Sequence, residues 1–375
     1  MNKILKRILI AVLIVVCSLS LFACAETENK DKETGLFCKK IGGVYTIYKY
    51  VDDGKTTSLD IAKALEDLGI TDTNVRIQKQ AFDANSSLTE IIVPNAVTKI
   101  EKGAFAGMKS LQTLSLPFIG MNNTGDCTIG ETAPSEDKAV DAERTLAHLF
   151  GDTEYDGAIA QTINYGQGST TDDAGETISQ SVNFYLPLSL NKVIVTGDKV
   201  PAGAFSGITK YIQIELADTV KRIGDYAFSS AIQLNEIKLP VGLEKIGKGA
   251  FMNASNLSIV NLGELTSLTV IEERAFSNTA LETLTTSSSL TTIGKSAFEG
   301  CRSLTEINLN NGLTSISHYA FRNCESLKRI VIEQGTPNES IVVGNYAFLG
   351  CNKNLPTAKP NAFKLINENS YPKAD

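Results

Sequence analysis

Apolar positions along this chain fall into a phrase that keeps returning. In residues 293–315, Ala297, Phe298, Cys301 and Leu304 are spaced one, three and three apart, and Ile307 and Leu309 then stand two apart. The first spacing puts four side chains on one face of about a turn and a half of helix, and the second puts two on one side of a strand. Asn310, Asn311 and Gly312 supply a turn, with Pro94, Pro117 and Pro240 at the first turn position in other copies. Leu313 and Ile316 lead the chain back inward. One period therefore predicts a strand, a turn, an extended run and a short helical turn.

The Ala-Phe pair of this phrase occurs nine times, with Phe at 82, 105, 205, 228, 251, 276, 298, 321 and 348, and six of the eight gaps are 22, 23 or 25 residues. Self-similarity at that period signals stacked coils, because one coil cannot bury its apolar side but a column of neighbours can. The residues Leu234-x-x-Ile237-x-Leu239-Pro240 and Ile246-Gly247-x-x-Ala250-Phe251 resemble the BspA type of leucine-rich repeat, a class of about 23 residues per repeat found on bacterial surface proteins. The resemblance implies an α/β repeat solenoid. It would be a leucine-rich-repeat horseshoe or superhelix with one parallel strand per ~23-residue coil and an inserted subdomain. Two copies depart from the pattern. The sixth is a residue short between Phe276 and Leu281 and has Thr286 at an apolar strand position, and the last gap stretches to 27 residues through Gly335–Asn338.

These patterns divide the chain into segments. Residues 1–23 read as a lipoprotein signal peptide, 24–36 as a lipidated Cys with a polar tether, and 37–74 as an N-terminal cap. Repeats occupy 75–117 and 188–351, separated by an insertion at 118–187, and 352–375 form a C-terminal tail or cap. Within the N-terminal cap, Gly43–Tyr50 alternates as a strand, and Ser58 is placed to cap a helix running to Leu68 with Asp60 in its first turn. In the insertion, Leu146–Phe150 predicts a short helix and Val182–Leu186 a strand. Leu149-Phe150-Gly151 and Tyr185-Leu186-Pro187 resemble elements that interrupt repeats of this type. Phe150, Tyr155, Tyr165, Phe184 and Tyr185 read as the small core of a protruding subdomain more readily than as a ligand patch.

The N-terminus has a cationic start (Lys3, Lys6, Arg7) and an apolar run from Ile8 to Phe22, ending in Leu21-Phe22-Ala23-Cys24. This resembles a bacterial lipobox, which implies lipid attachment at Cys24 and an extracytoplasmic protein anchored to the cell membrane. Removing those three positive charges takes the formal net charge from −7 to −10, which disfavours nucleic acid and anionic lipid as partners.

Catalytic motifs are missing from the sequence: there are two histidines and no H-E-x-x-H, G-x-S-x-G or phosphate-binding glycine loop. His148 with Cys127 is the one imaginable nucleophile pair, without a supporting motif. His318 sits at an exposed position. Cys301, Cys324 and Cys351 share one slot, held elsewhere by Met108, Ile208, Ala231, Ala254 and Thr279, so they read as compact hydrophobes rather than metal ligands. A Cys38–Cys127 disulfide stays open. No cofactor or metal is expected. The candidate binding face is the ladder of outward strand positions: Glu90/Ile92, Thr113/Ser115, Gln213/Glu215, Glu236/Lys238, Ile259/Asn261, Thr283/Thr285, Glu306/Asn308 and Arg329/Val331. The expectation is a non-catalytic surface lipoprotein binding an extracellular protein or glycan. The family resemblance implies adhesion to host or matrix protein or to other cells. The alternatives are an accessory glycan- or peptide-processing enzyme using the insertion as its catalytic module, and a structural envelope component.

Overall fold

The computed structural model describes residues 34–83, 85–123, 142–165, 180–332 and 341–352. Cys24, Cys127 and the tail beyond Asn352 lie outside them. The described chain winds as a solenoid of parallel strands, as the repeat requires. Each coil contributes a front strand and a return strand, so there are two ladders where one strand per coil was expected.

The front ladder has three parts. Ser58–Asp60, Glu90–Ile92, Thr113–Leu116, Lys192–Val195 and Gln213–Leu216 form a five-stranded parallel sheet. Glu236–Ile237 pairs with Ile259–Val260, and Thr283–Thr285, Glu306–Leu309 and Arg329–Ile332 form a third sheet. The return ladder begins with the antiparallel hairpin Gly35–Ile41/Val44–Val51, which pairs onto Val75–Ile77 and then Val97–Ile100. Seven two-residue strands continue it, from Lys199–Val200 to Val342–Val343. Gly247 and Gly294 follow return-ladder Ile residues because the preceding coil runs against them. A Cβ there would stand 2.6 Å from Asp225 N and from Ile271 O respectively.

The Ala-Phe segment is not helical. The second residue before the Phe and the second after it both lie in the left-handed region, as at Tyr226 and Ser230, Arg274 and Asn278, and Tyr319 and Asn323, with φ between 55° and 59°. A helix has no room for two such residues four apart. The inversion instead alternates the direction of the amides. Tyr226, Phe228 and Ser230 donate to the next coil (Lys248, Ala250 and Met252 carbonyls, 2.7–2.8 Å), while Ala227, Ser229 and Ala231 close bonds within their own coil. Half of the turn's donors thus knit one coil to the next. The four apolar residues predicted to share a face are all buried, but by this zigzag rather than by a helical period.

The phenyl rings stack along the axis. Successive centroids from Phe205 to Phe348 lie 5.0–5.4 Å apart with interplanar angles of 2–9°. Tyr50 of the N-terminal hairpin extends the column, 5.7 Å from Phe82. Thr286, in its apolar row, is buried and accepts from the Asn310 N–H at 2.8 Å and the Asn310 side-chain amide at 2.9 Å. The hydroxyl is therefore tolerated because the next coil supplies its partner.

The helix of the N-terminal region is Ile61–Asp67, and its cap is Asp60 rather than Ser58. Asp60 accepts from Ala62 N–H at 2.9 Å, whereas Ser58 is drawn into the front ladder beside Glu90. Pairing with the next coil overrides the local capping signal. Between the two repeat blocks, Leu146–Phe150 forms a 3₁₀ turn capped by Thr145. It occupies the Ala-Phe station of its coil. Phe105 N–H donates to Leu149 O at 3.0 Å, Leu146 N–H donates to Ala204 O at 2.9 Å, and the Phe150 ring lies 6.3 Å from Phe105. Ala158–Tyr165 and Gln180–Pro187 then make an antiparallel hairpin. Phe150 and Phe184 are buried in the same hydrophobic cluster as the repeats. These two phenylalanines extend the solenoid's core instead of building a separate one.

Candidate functional site

The front ladder is the face the fold leaves to solvent, since the inward side chains of the same strands (Ile91, Leu114, Val193, Ile237, Leu284, Ile307) are all buried. Parallel pairing in register converts alternate residues into rows. One row reads Ser58, Glu90, Thr113, Lys192, Gln213, and the next reads Asp60, Ile92, Ser115, Ile194, Glu215. After a break, Glu236 stands beside Ile259. After a second break, Thr283, Glu306 and Arg329 form one row and Thr285, Asn308 and Val331 the next.

Four members of these rows were absent from the expected ladder: Ser58, Asp60, Lys192 and Ile194. The first two precede the first Ala-Phe copy. The other two follow the insertion, where the pattern Leu190-x-x-Val193-x-Val195 was present to mark them.

Neighbouring side chains on this face engage one another. Glu90 accepts from the Ser58 hydroxyl at 2.7 Å. Lys192 Nζ lies 2.8 Å from Glu215 Oε1, which also accepts from Gln213 Nε2 at 3.0 Å. Arg329 reaches Glu306 at 3.6 Å, and Asn308 donates to Thr285 at 3.5 Å. Such exposed pairs are each worth about 0–1 kcal/mol, so they set local order more than stability. Asn261 is more firmly engaged. Its side chain accepts from Leu239 N–H at 2.8 Å and donates to Leu239 O and Glu264 at 3.0 Å, clamping two coils where the strand pairing lapses. Glu236, Lys238 and Thr283 are exposed. Ile259 is an isolated apolar group, 61% exposed, in the middle of the face.

The other candidates fall elsewhere. His148 is buried in the 3₁₀ turn, and its carbonyl accepts from Gly103 N–H at 3.0 Å. It is thereby part of the spine. His318 is exposed, and its Nδ1 accepts from Asn345 N–H at 3.0 Å. Cys301, Cys324 and Cys351 are buried, and each thiol approaches the Phe carbonyl of the preceding coil at 3.1–3.3 Å. Burial pushes the Cys301 thiol up to about 11 and that of Cys324 well above the usual range. These are poor conditions for a thiolate ligand or nucleophile. Among the described residues there is no group of three metal-binding side chains. At the N-terminal end, Asp53 is held down to about 2 by the Thr56 and Lys55 N–H groups and the Thr56 hydroxyl, which fix the loop that leads into the first front strand.

The described family of the BspA type leucine rich repeat region matches the chain in six copies, over residues 60–128, 180–301 and 269–373. Among solved structures, a leucine-rich-repeat protein of Bacteroides ovatus is 20% identical over 88% of this chain and 79% of its own, with a TM-score of 0.39. A leucine-rich cell surface protein of Faecalibacterium prausnitzii is 18% identical over 88% of this chain and 75% of its own, at 0.35. A leucine-rich-repeat protein of T. pallidum is 24% identical over 48% of this chain and 72% of its own, at 0.34. No curated protein matches the sequence.

Proposed function

The chain belongs to the BspA-type leucine-rich-repeat family, and from that premise we propose that it is a surface lipoprotein whose front ladder binds an extracellular macromolecule without chemistry. The observation that carries this reading is the five-stranded in-register sheet from Ser58–Asp60 to Gln213–Leu216, whose outward rows mix acids, hydroxyls, one amide, one lysine and two isoleucines. A face of paired, low-cost polar groups suits a protein or glycan partner recognised over area rather than in a pocket. Its own ion pairs are weak enough to be exchanged for contacts with a ligand. The N-terminal sequence Leu21-Phe22-Ala23-Cys24 supports tethering through a lipid on Cys24, with the polar run Ala25–Thr34 as spacer. Adhesion to host matrix, host protein or another cell is the use that follows from such an address.

Two experiments test the reading separately. The chain lacking residues 1–24, offered a panel of extracellular matrix proteins and glycans, is expected to retain at least one of them. Glu215→Lys, which reverses a charge on the last strand of that sheet, is expected to weaken that capture. Capture that is absent throughout, or indifferent to the substitution, removes the front face from consideration. Metabolic palmitate labelling is expected in the full chain and lost in Cys24→Ala, and labelling that persists would place the anchor elsewhere.

A further inference from the structure

The sixth repeat copy is one residue short in the turn after its Phe. Leu281 comes five positions after Phe276, whereas Leu257 and Leu304 come six after Phe251 and Phe298. The shortened turn closes differently. The Thr279 hydroxyl donates to Phe276 O at 2.9 Å, where Ala254 and Cys301 use their N–H groups on Phe251 and Phe298 at 3.1 and 3.3 Å. A cleft of about 380 Å³ lies among the turns of the short coil and its two neighbours. Its size falls within the roughly 300–1,000 Å³ of ligand clefts.

Three successive coils line it. Asn253 and Ser255 come from the preceding coil, Asn278 and Ala280 from the short one, and Arg302 and Ser303 from the next. Asn278 donates to Asn253 Oδ1 at 2.8 Å, which fixes both amides. The Asn278 side-chain oxygen Oδ1 lies where a Cβ on residue 300 would stand, so Gly300 leaves room for it. Arg302 is answered by Glu325 at 3.2 Å, so the cleft carries no unpaired positive charge, and the chain as a whole is at −7. An anionic ligand is disfavoured on both counts. Amides and hydroxyls that donate and accept, arranged around one methyl group, match a ring of vicinal hydroxyls with an apolar C–H face.

We propose that this cleft binds a sugar residue of a neutral glycan. The proposal does not rest on the front-ladder reading. The cleft is open and has no aromatic platform, so retention depends on several sugars presented together.

The test is a printed array of neutral and sulfated glycans probed with the purified full chain. Two variants accompany it: Ser303→Trp, which fills the cleft from an exposed position, and insertion of one Ser between Thr279 and Ala280, which restores the six-residue spacing. Retention on neutral glycans is expected, falling by about tenfold or more in both variants. If the insertion disturbs folding, as judged by its melting temperature, Ser303→Trp alone decides. No retention on neutral glycans overturns the proposal. So does retention restricted to sulfated glycans, or retention unchanged in Ser303→Trp.

Discussion

Removing one ring from the middle of the phenyl column tests whether the solenoid is held by that column. Phe251 is fully buried, with its neighbours Phe228 and Phe276 both 5.0 Å away and within 9° of parallel. Phe251→Ala deletes a buried side chain and leaves a cavity that the hydrogen-bonded turns on either side cannot collapse, which costs about 3–5 kcal/mol. Phe348 is as buried but, among the described residues, has a ring neighbour on one side, Phe321. Phe348→Ala therefore forfeits one ring pair fewer, a difference of about 0.5–1.5 kcal/mol. If the described residues melt as one unit, their unfolding entropy is about 0.6 kcal/mol/K, and a loss of about 4 kcal/mol lowers Tm by about 7 °C. Because each coil touches only its neighbours, the central substitution should also broaden or split the transition. Differential scanning calorimetry of the parent, Phe251→Ala and Phe348→Ala measures both effects. Equal melting temperatures for parent and Phe251→Ala would falsify the column as the source of stability. A larger fall for Phe348→Ala would refute the nearest-neighbour argument.

Three further outcomes follow from local geometry. Cys301, Cys324 and Cys351 should resist iodoacetamide at pH 8 in the native chain and react on denaturation, as read by peptide mass spectrometry, because burial raises the Cys301 and Cys324 thiols and all three side chains are enclosed. Asn323 sits at φ 59°, so Asn323→Ala should cost about 1 kcal/mol while Asn323→Gly stays near neutral, a contrast visible in urea midpoints. Asp53 has a folded value of about 2, below the ordinary carboxyl value of about 3.9. Its stabilising effect is therefore complete above pH ~4 and disappears as pH falls toward ~2. Amide-exchange protection at Lys55 and Thr56 should fall across that window in the parent, and Asp53→Asn should abolish the step.

The architecture was legible because a period of about 23 residues, repeated nine times, leaves few alternatives to stacked coils. What the sequence hid was the shape of the turn. Spacings of one, three and three mimic a helical face, and the two left-handed positions are held by Tyr226, Arg274 and Tyr319 as well as by glycine and asparagine. No local preference announces those residues as left-handed. The reason they adopt it lies in the next coil, whose carbonyls receive the redirected amides. Ser58 follows the same logic: its sequence context favours a cap, and a strand from the neighbouring coil claims it instead. Local signals fail here wherever a donor's partner sits one coil away.

The same rule governs how the functional surface reads. Outward positions could be named from strand alternation alone, yet which of them are already engaged depends on register between coils. Asn261 looked like a contact residue and clamps Leu239, while Lys192 went unnamed and sits inside the five-stranded front sheet, between Thr113 and Gln213. The short sixth copy was visible as a missing residue, but its consequence appears only when the flanking turns, each of normal length, are set beside it. In a solenoid a repeat that matches the consensus is occupied with packing its neighbours, so sites arise at departures from it. A deletion makes a concavity, an insertion makes a projection, and a lapse in strand pairing changes the course of a face. Function in this chain should therefore be mapped by perturbing those irregular coils first, because a substitution in a regular coil alters stability and binding together and cannot separate them.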